Sequence, residues 1–284
     1  MIGDAAAASG AGVSTRLKEA LTGKRLINGT LVAAVGLGSV LYAPAFALLL
    51  IVIGILGVFE LKNIARRTGA ELSSSVAICA CVAYALLAYF GLLERYESVL
   101  AGAIIVASLV SAFAHGSDRF AGRCGMTLFA SMYLGKLLSY FVLMRVAPHG
   151  AALTAWVIVL VALTDIFGMI GGVRFGRTKM APRLSPHKTW EGAVVAFGVP
   201  TAAGVAMSFI PQIGEPWWLG LALGAATSAA AEVGDLFESA LKRNAQIKDS
   251  GQLIAGHGGV LDRFDSYLVA GVVAYTVLGL AGRL

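Results

Sequence analysis

Between Ser239 and Ser266 the sequence reads SALKRNAQIKDSGQLIAGHGGVLDRFDS. Lys242, Arg243, Lys248, Asp249, His257, Asp262, Arg263 and Asp265 stand there around the glycines Gly256, Gly258 and Gly259. Carboxylates hold divalent metals, Lys and Arg hold phosphate, and glycine lets a backbone approach a ligand closely. Just upstream, Glu232, Asp235 and Ser239 share one face of a helix by their spacing. Six of the 16 acidic residues lie between Glu232 and Asp265. Like charges gathered this closely repel unless a cation neutralises them, and carboxylates without Cys or His ligands favour Mg²⁺ over Zn²⁺. Lys188, Lys242, Arg243, Lys248 and Arg263 are the candidate phosphate contacts. Gly258 and Gly259 can offer backbone N–H groups to the same anion. His257 reads equally well as a phosphate contact and as a structural histidine. No Ser-His-Asp or Cys-His arrangement is visible, and the residue types point to a site for divalent metal and phosphate.

The elements that must position these residues belong to a membrane protein. Of the 284 residues, 58% are hydrophobic and 13% charged, and the mean hydropathy is +0.80. A soluble globular domain carries about a quarter charged residues. Apolar stretches of spanning length fall at about 26–42, 44–60, 74–92, 98–114, 124–144, 152–173, 190–210, 216–235 and 266–282. The expectation is an all-α bundle of about nine transmembrane helices. Residues 1–25 form a polar tail with an interfacial helix, 26–150 an N-terminal bundle, and 151–284 the bundle that carries the chemistry. With the N-terminus cytoplasmic, 18 of the 22 Lys and Arg lie on the cytoplasmic side, a clear positive-inside bias. That orientation puts the 239–266 run and the basic 174–188 loop on one face of the membrane. The net charge of +6 then reflects topology and anionic ligands, and nucleic acid is not an expected partner. Lys62, Arg66, Arg67, Arg119 and Arg123 read as topology charges. Cys79, Cys81 and Cys124 are too scattered for a disulfide framework or a zinc site and read as small buried residues. Asp165 and Lys136 lie within apolar stretches, where an ionised group needs a partner.

The 239–266 run resembles the signature of the phosphatidate cytidylyltransferase (CDP-diacylglycerol synthase) family. The matching positions are Ser239, Leu241, Lys242, Arg243, Lys248, Asp249, His257, Gly258, Gly259, Asp262, Arg263, Phe264 and Asp265, with Ala255 where the family usually has Pro. A second block is similar to the family's middle motif: Asp165, then Ser185, Pro186, Lys188, Thr189, Trp190, Glu191 and Gly192. Gly168 and Met169 depart from that motif's common Ala-Tyr. The resemblance covers the chain from Thr164 to Ser266. It implies that CTP and phosphatidate give CDP-diacylglycerol and pyrophosphate, with one or two Mg²⁺ ions, at the cytoplasmic face of the inner membrane, in a homodimer. It puts Asp235 and Asp262 first as metal ligands and Asp249 and Asp265 next. It makes Asp235, Asp262, Lys242, Arg243, Asp249 and Arg263 catalytic. Lys188, Ser185, Lys248, His257, Gly258, Gly259 and Asp165 become substrate contacts. Two other readings stay open. One is cytidylyl transfer to a different lipid phosphate. The other is a transporter using Asp165 and Lys136, which would call for an internal repeat that the sequence does not display.

Overall fold

The computed structural model describes residues 34–114, 116, 119–251 and 258–284. The expected N-terminal tail, residues 26–33 of the first apolar stretch and His257 lie outside the described residues. Residues 34–40 of that first stretch are helical. The other eight stretches each coincide with helix. These are α1 (Ala43–Arg67), α2 (Ser74–Tyr89), α3 (Leu93–Phe113), α4 (Phe120–Ala130) continuing into α5 (Leu137–Val146), α6 (Gly150–Phe175), α7 (Trp190–Ser208), α8 (Trp217–Asn244) and α9 (Leu261–Leu280). A π-helical segment, Ser131–Lys136, joins α4 to α5 without a break. Among the described residues, six helices are long and apolar enough to cross a membrane: α1, α3, the continuous Phe120–Val146, α6, α7 and α9. α2, with 16 residues, is shorter. α8 is long, but Gly, Ala, Ser and Thr and the acids from Glu232 onward lower its hydropathy. The chain is therefore an all-helical, multi-pass membrane protein.

The fold departs from the sequence expectation in two places that matter for chemistry. The loop after α6 contains a short antiparallel hairpin, β1 (Lys179–Ala181) and β2 (Ser185–Thr189), paired Lys179 to Thr189 and Ala181 to Ser185. The run 239–266 is not one loop. α8 continues through Ser239, Lys242 and Arg243, and α9 begins at Leu261, so Asp262, Arg263 and Asp265 lie in its first turns. An acidic residue in a first helical turn faces the positive end of the helix dipole, which favours starting the helix there.

Helices α6 to α9 pack in sequence against one another, and α1, α2 and α4–α5 form the other half. The halves meet where α5 lies against α6 and α9. Helix α7 crosses α8 at Gly204 and Gly220, where a Cβ on either would come within 2.4 Å of the other's carbonyl oxygen. Small residues at such a crossing are how helices associate in lipid, where no hydrophobic drive separates protein from solvent. The core joins both halves through Trp156, Leu160, Tyr84, Leu134, Leu268 and Leu278, all fully buried.

Candidate active site

Four pieces of chain bring charge to one end of the bundle: the C-terminal turns of α8, the first turns of α9, the hairpin, and the segment 247–251. Thr189 caps α7, its hydroxyl oxygen accepting from Gly192 N at 3.2 Å. The Glu191 carboxylate accepts from the amides of Arg177 and Thr178 at 3.0 and 3.1 Å, and Trp190 N donates to Thr178 O. These bonds fix the hairpin to the start of α7. They carry Lys188, one residue before the cap, onto α8.

There Lys188 Nζ meets Glu232 Oε2 at 2.6 Å and Asp235 Oδ2 at 2.8 Å. Burial alone would depress the Lys188 ammonium, but Asp235 and Glu232 outweigh it and hold its pKa above the usual lysine value. Asp165 lies alongside, on α6. It is exposed, and its Oδ1 accepts from Ser266 Oγ at 3.1 Å. The sequence left open a cation or metal partner and a structural hydrogen bond to a neighbouring helix; the hydrogen-bond partner in the structure is a hydroxyl of α9.

A second lysine repeats the pattern one turn further along α8. Lys242 Nζ meets Glu238 Oε2 at 2.5 Å and Asp262 Oδ1 at 2.6 Å. Asp262 Oδ2 accepts from Gly259 N at 2.7 Å, Ser250 N at 2.9 Å and Ser250 Oγ at 3.0 Å. The buried Asp265 lies between the groups, within electrostatic reach of Glu238, Asp235 and Asp165, with its Oδ1 on the amide of Ser266. Each lysine is thus enclosed by two carboxylates.

The remaining sequence-nominated residues divide. Arg243 is engaged by backbone, donating to Leu184 O at 3.1 Å and Ile247 O at 2.7 Å, and so ties the hairpin to the end of α8. Ser185 sits in β2. Arg263 is exposed, as are Lys248 and Asp249. Lys248 and Asp249 do not join the carboxylate groups. They line a cleft of about 650 Å³ with Asn63, Arg66 and Arg67 from the end of α1. The sequence reading assigned Arg66 and Arg67 to topology alone; in the structure they share a basic cleft with the signature's own lysine. Gly258, at φ +81°, and Gly259 form the turn into α9.

Sequence reasoning missed Glu238 and Glu60. Glu238 was hidden because only the i, i+3, i+7 face of α8 was read, whereas Glu238 pairs with Lys242 at i+4. Glu60 is the sole acid of α1, at the edge of an apolar stretch, and is 2% exposed. A lone acid in an apolar helix was the available signal.

Among the described residues, no group of three or more His, Cys, Asp or Glu side chains is arranged around one point for a metal. Mg²⁺ needs less than that, because it commonly takes one or two carboxylates and completes its shell with water and phosphate oxygens. Asp235 with one neighbouring carboxylate, Glu232 or Asp165, offers the all-oxygen donors that this mode uses.

Helices crossing a membrane, with lysine–carboxylate groups, a basic cleft and a glycine turn at one end, define a multi-pass membrane protein with a charged site at one end of its bundle. The chain belongs to the cytidylyltransferase family, whose model matches residues 23–281. It is 35% identical over 225 residues to phosphatidate cytidylyltransferase 4, chloroplastic, of Arabidopsis thaliana, covering 71% of this chain and 56% of that protein. It is 27% identical over 264 residues to the phosphatidate cytidylyltransferase of Bacillus subtilis, covering 90% and 97%. With that of Mycobacterium leprae it shares 35% over 154 residues, covering 54% and 49%. The chain thus spans about half the length of the plant and mycobacterial relatives and nearly all of the Bacillus one.

Proposed function

We propose that the chain transfers the cytidylyl group of CTP to phosphatidate, giving CDP-diacylglycerol and pyrophosphate. The observation that carries this is the pair of lysine–carboxylate groups built from the family's motif residues, Lys188 with Asp235 and Lys242 with Asp262. The phosphate oxygen of the lipid attacks the α-phosphorus of CTP, and the bond from that phosphorus to the α–β bridging oxygen breaks. Pyrophosphate leaves with that electron pair. The nucleophile is already anionic, so no strong general base is required. The obstacle is charge repulsion between two phosphorylated reactants.

Lys188 and Lys242 are held at fixed points by carboxylates and stand ready to exchange those contacts for phosphate oxygens. The raised pKa of Lys188 keeps it charged throughout the neutral range. Arg66, Arg67 and Lys248 attract the triphosphate at the cleft mouth. Arg243 keeps the hairpin, and with it Lys188, in register with α8. The carboxylate oxygens favour Mg²⁺, which Asp235 with Asp165 or Glu232, and Asp262 in the second group, would hold. When bound it supplies charge neutralisation at the transferred phosphate and the departing pyrophosphate. About nine spans rest on the apolar stretches, and an N-terminus and site on the cytoplasmic side rest on the positive-inside count; the inner membrane rests on the family resemblance. Homodimerisation rests on the family resemblance alone.

The test is pyrophosphate release from CTP by purified protein in mixed micelles, with and without phosphatidate and Mg²⁺. Release that requires both supports the proposal. Folded protein that releases none with phosphatidate, but does with another lipid phosphate, moves the acceptor. Release with no lipid phosphate at all removes the proposal.

A further inference from the structure

We infer that Glu60 of α1 is a positioning residue for the reaction: it fixes the start of α9 and, through Ser250, sets the carboxylate of Asp262. Glu60 Oε1 accepts from Val260 N at 2.8 Å, and Oε2 accepts from Leu261 N at 2.8 Å and Ser250 Oγ at 2.8 Å. Val260 and Leu261 are the cap and first residue of α9, so Glu60 takes two of the amides that a helix leaves unpaired at its start. No Lys, Arg or His forms an ion pair with Glu60 among the described residues. Burying a carboxylate without a cation is costly unless hydrogen bonds and a helix dipole stabilise it, and here both do.

The contact reaches the site through one proton. Ser250 Oγ lies 2.8 Å from Glu60 Oε2 and 3.0 Å from Asp262 Oδ2. A hydroxyl has a single hydrogen, so two carboxylates compete for it. When the hydrogen points to Glu60, Asp262 keeps two backbone amides and one freer lone pair. Such bonds to a reacting carboxylate fix its rotamer and basicity. The packing leaves no slack: a Cβ at Gly259 would stand 2.5 Å from Glu60 Oε2 and 2.1 Å from Ser250 Oγ, and one at Gly251 would stand 2.6 Å from Glu60 Oε1. The N-terminal bundle thereby holds the signature directly, across about 200 residues of sequence.

This inference rests on the proposed activity for its kinetic part and is independent of it for its structural part. The experiment compares wild type with Glu60→Gln, Glu60→Ala, Ser250→Ala and Glu60→Gln/Asp262→Asn. One arm is amide hydrogen exchange over 258–268; the other is steady-state pyrophosphate release. Gln keeps one acceptor oxygen but places an N–H₂ donor against a donating amide or hydroxyl. Expected are faster exchange at Val260 and Leu261 and a fall in kcat of about 10 to 100-fold in Glu60→Gln, the range for losing such a supporting hydrogen bond. KM for CTP should move less than about threefold. Glu60→Ala should be worse and Ser250→Ala milder. The double variant should be no slower than Asp262→Asn alone, because Glu60 acts through Asp262. Unchanged exchange in Glu60→Gln overturns the inference, as does faster exchange with wild-type kcat. Additive losses in the double variant overturn the route through Asp262. If wild type has no activity with phosphatidate, the proposed function fails and the exchange arm alone upholds or overturns the structural part.

Discussion

Three intramembrane or near-membrane lysines show two different uses of the same side chain. Lys136, in the π-helical segment, meets one carboxylate, Glu97, at 2.5 Å, and lies 5.0 and 5.7 Å from the ring centres of Tyr140 and Tyr84. That pair is neutral, and the two rings accommodate the cation. Lys188 and Lys242 each meet two carboxylates, with Asp165 and Asp265 close by. A balanced pair needs nothing further. A lysine with two carboxylates can exchange one of them for a phosphate oxygen, and a metal cation can take up the carboxylate it releases. The contrast separates a lysine that ties helices together from the lysines at the proposed site. The partners of Lys136 belong to α2, α3 and α5 and not to the signature.

The comparison breaks first at the unbalanced groups. Asp262→Asn should lower turnover by about 10² to 10³-fold, the scale for losing one preorganised charge contact, with pyrophosphate release as the readout. Lys188→Met should cost about 10²-fold on the same assay. Because its two carboxylates raise the Lys188 pKa, wild-type activity should show no alkaline loss from this group until pH passes the usual lysine range. An inflection below that range that disappears in Lys188→Met would contradict the double pairing. Arg243→Ala should act mainly on structure: it removes two bonds from a charged donor to carbonyl oxygens and should lower thermal stability by about 1–3 kcal/mol. The smallest effect is expected at the balanced pair. Lys136→Met should leave turnover within about twofold and change stability by about 1 kcal/mol or less, since Glu97 is half-exposed. A loss of turnover there comparable to Lys188→Met would erase the distinction.

Much of the fold was legible because lipid imposes a simple rule. Apolar runs of about 20 residues must be helices, and the eight such runs after the first coincide with helices in the structure. The hairpin was not legible: Lys179–Thr189 is polar and carries Pro182 and Pro186, and Glu191 accepts from the two amides that precede it. Helix ends were missed by several residues at α8 and α9, since a hydropathy boundary marks where lipid ends and not where hydrogen bonding does.

The sequence by itself determined the membrane character, the helical class, the family and the residue types of the site, because composition, run length and motif spacing are local properties. Lys188, Asp235, Lys242 and Asp262 were all nominated that way. Only the tertiary structure decided their pairing. It put Glu232 and Asp235 on Lys188, Glu238 and Asp262 on Lys242, and Arg243 on backbone. It also brought Arg66, Arg67 and Glu60 from the first described half of the bundle to the signature. No spacing rule reaches across about 200 residues, and a carboxylate's partner depends on which helix packs beside it.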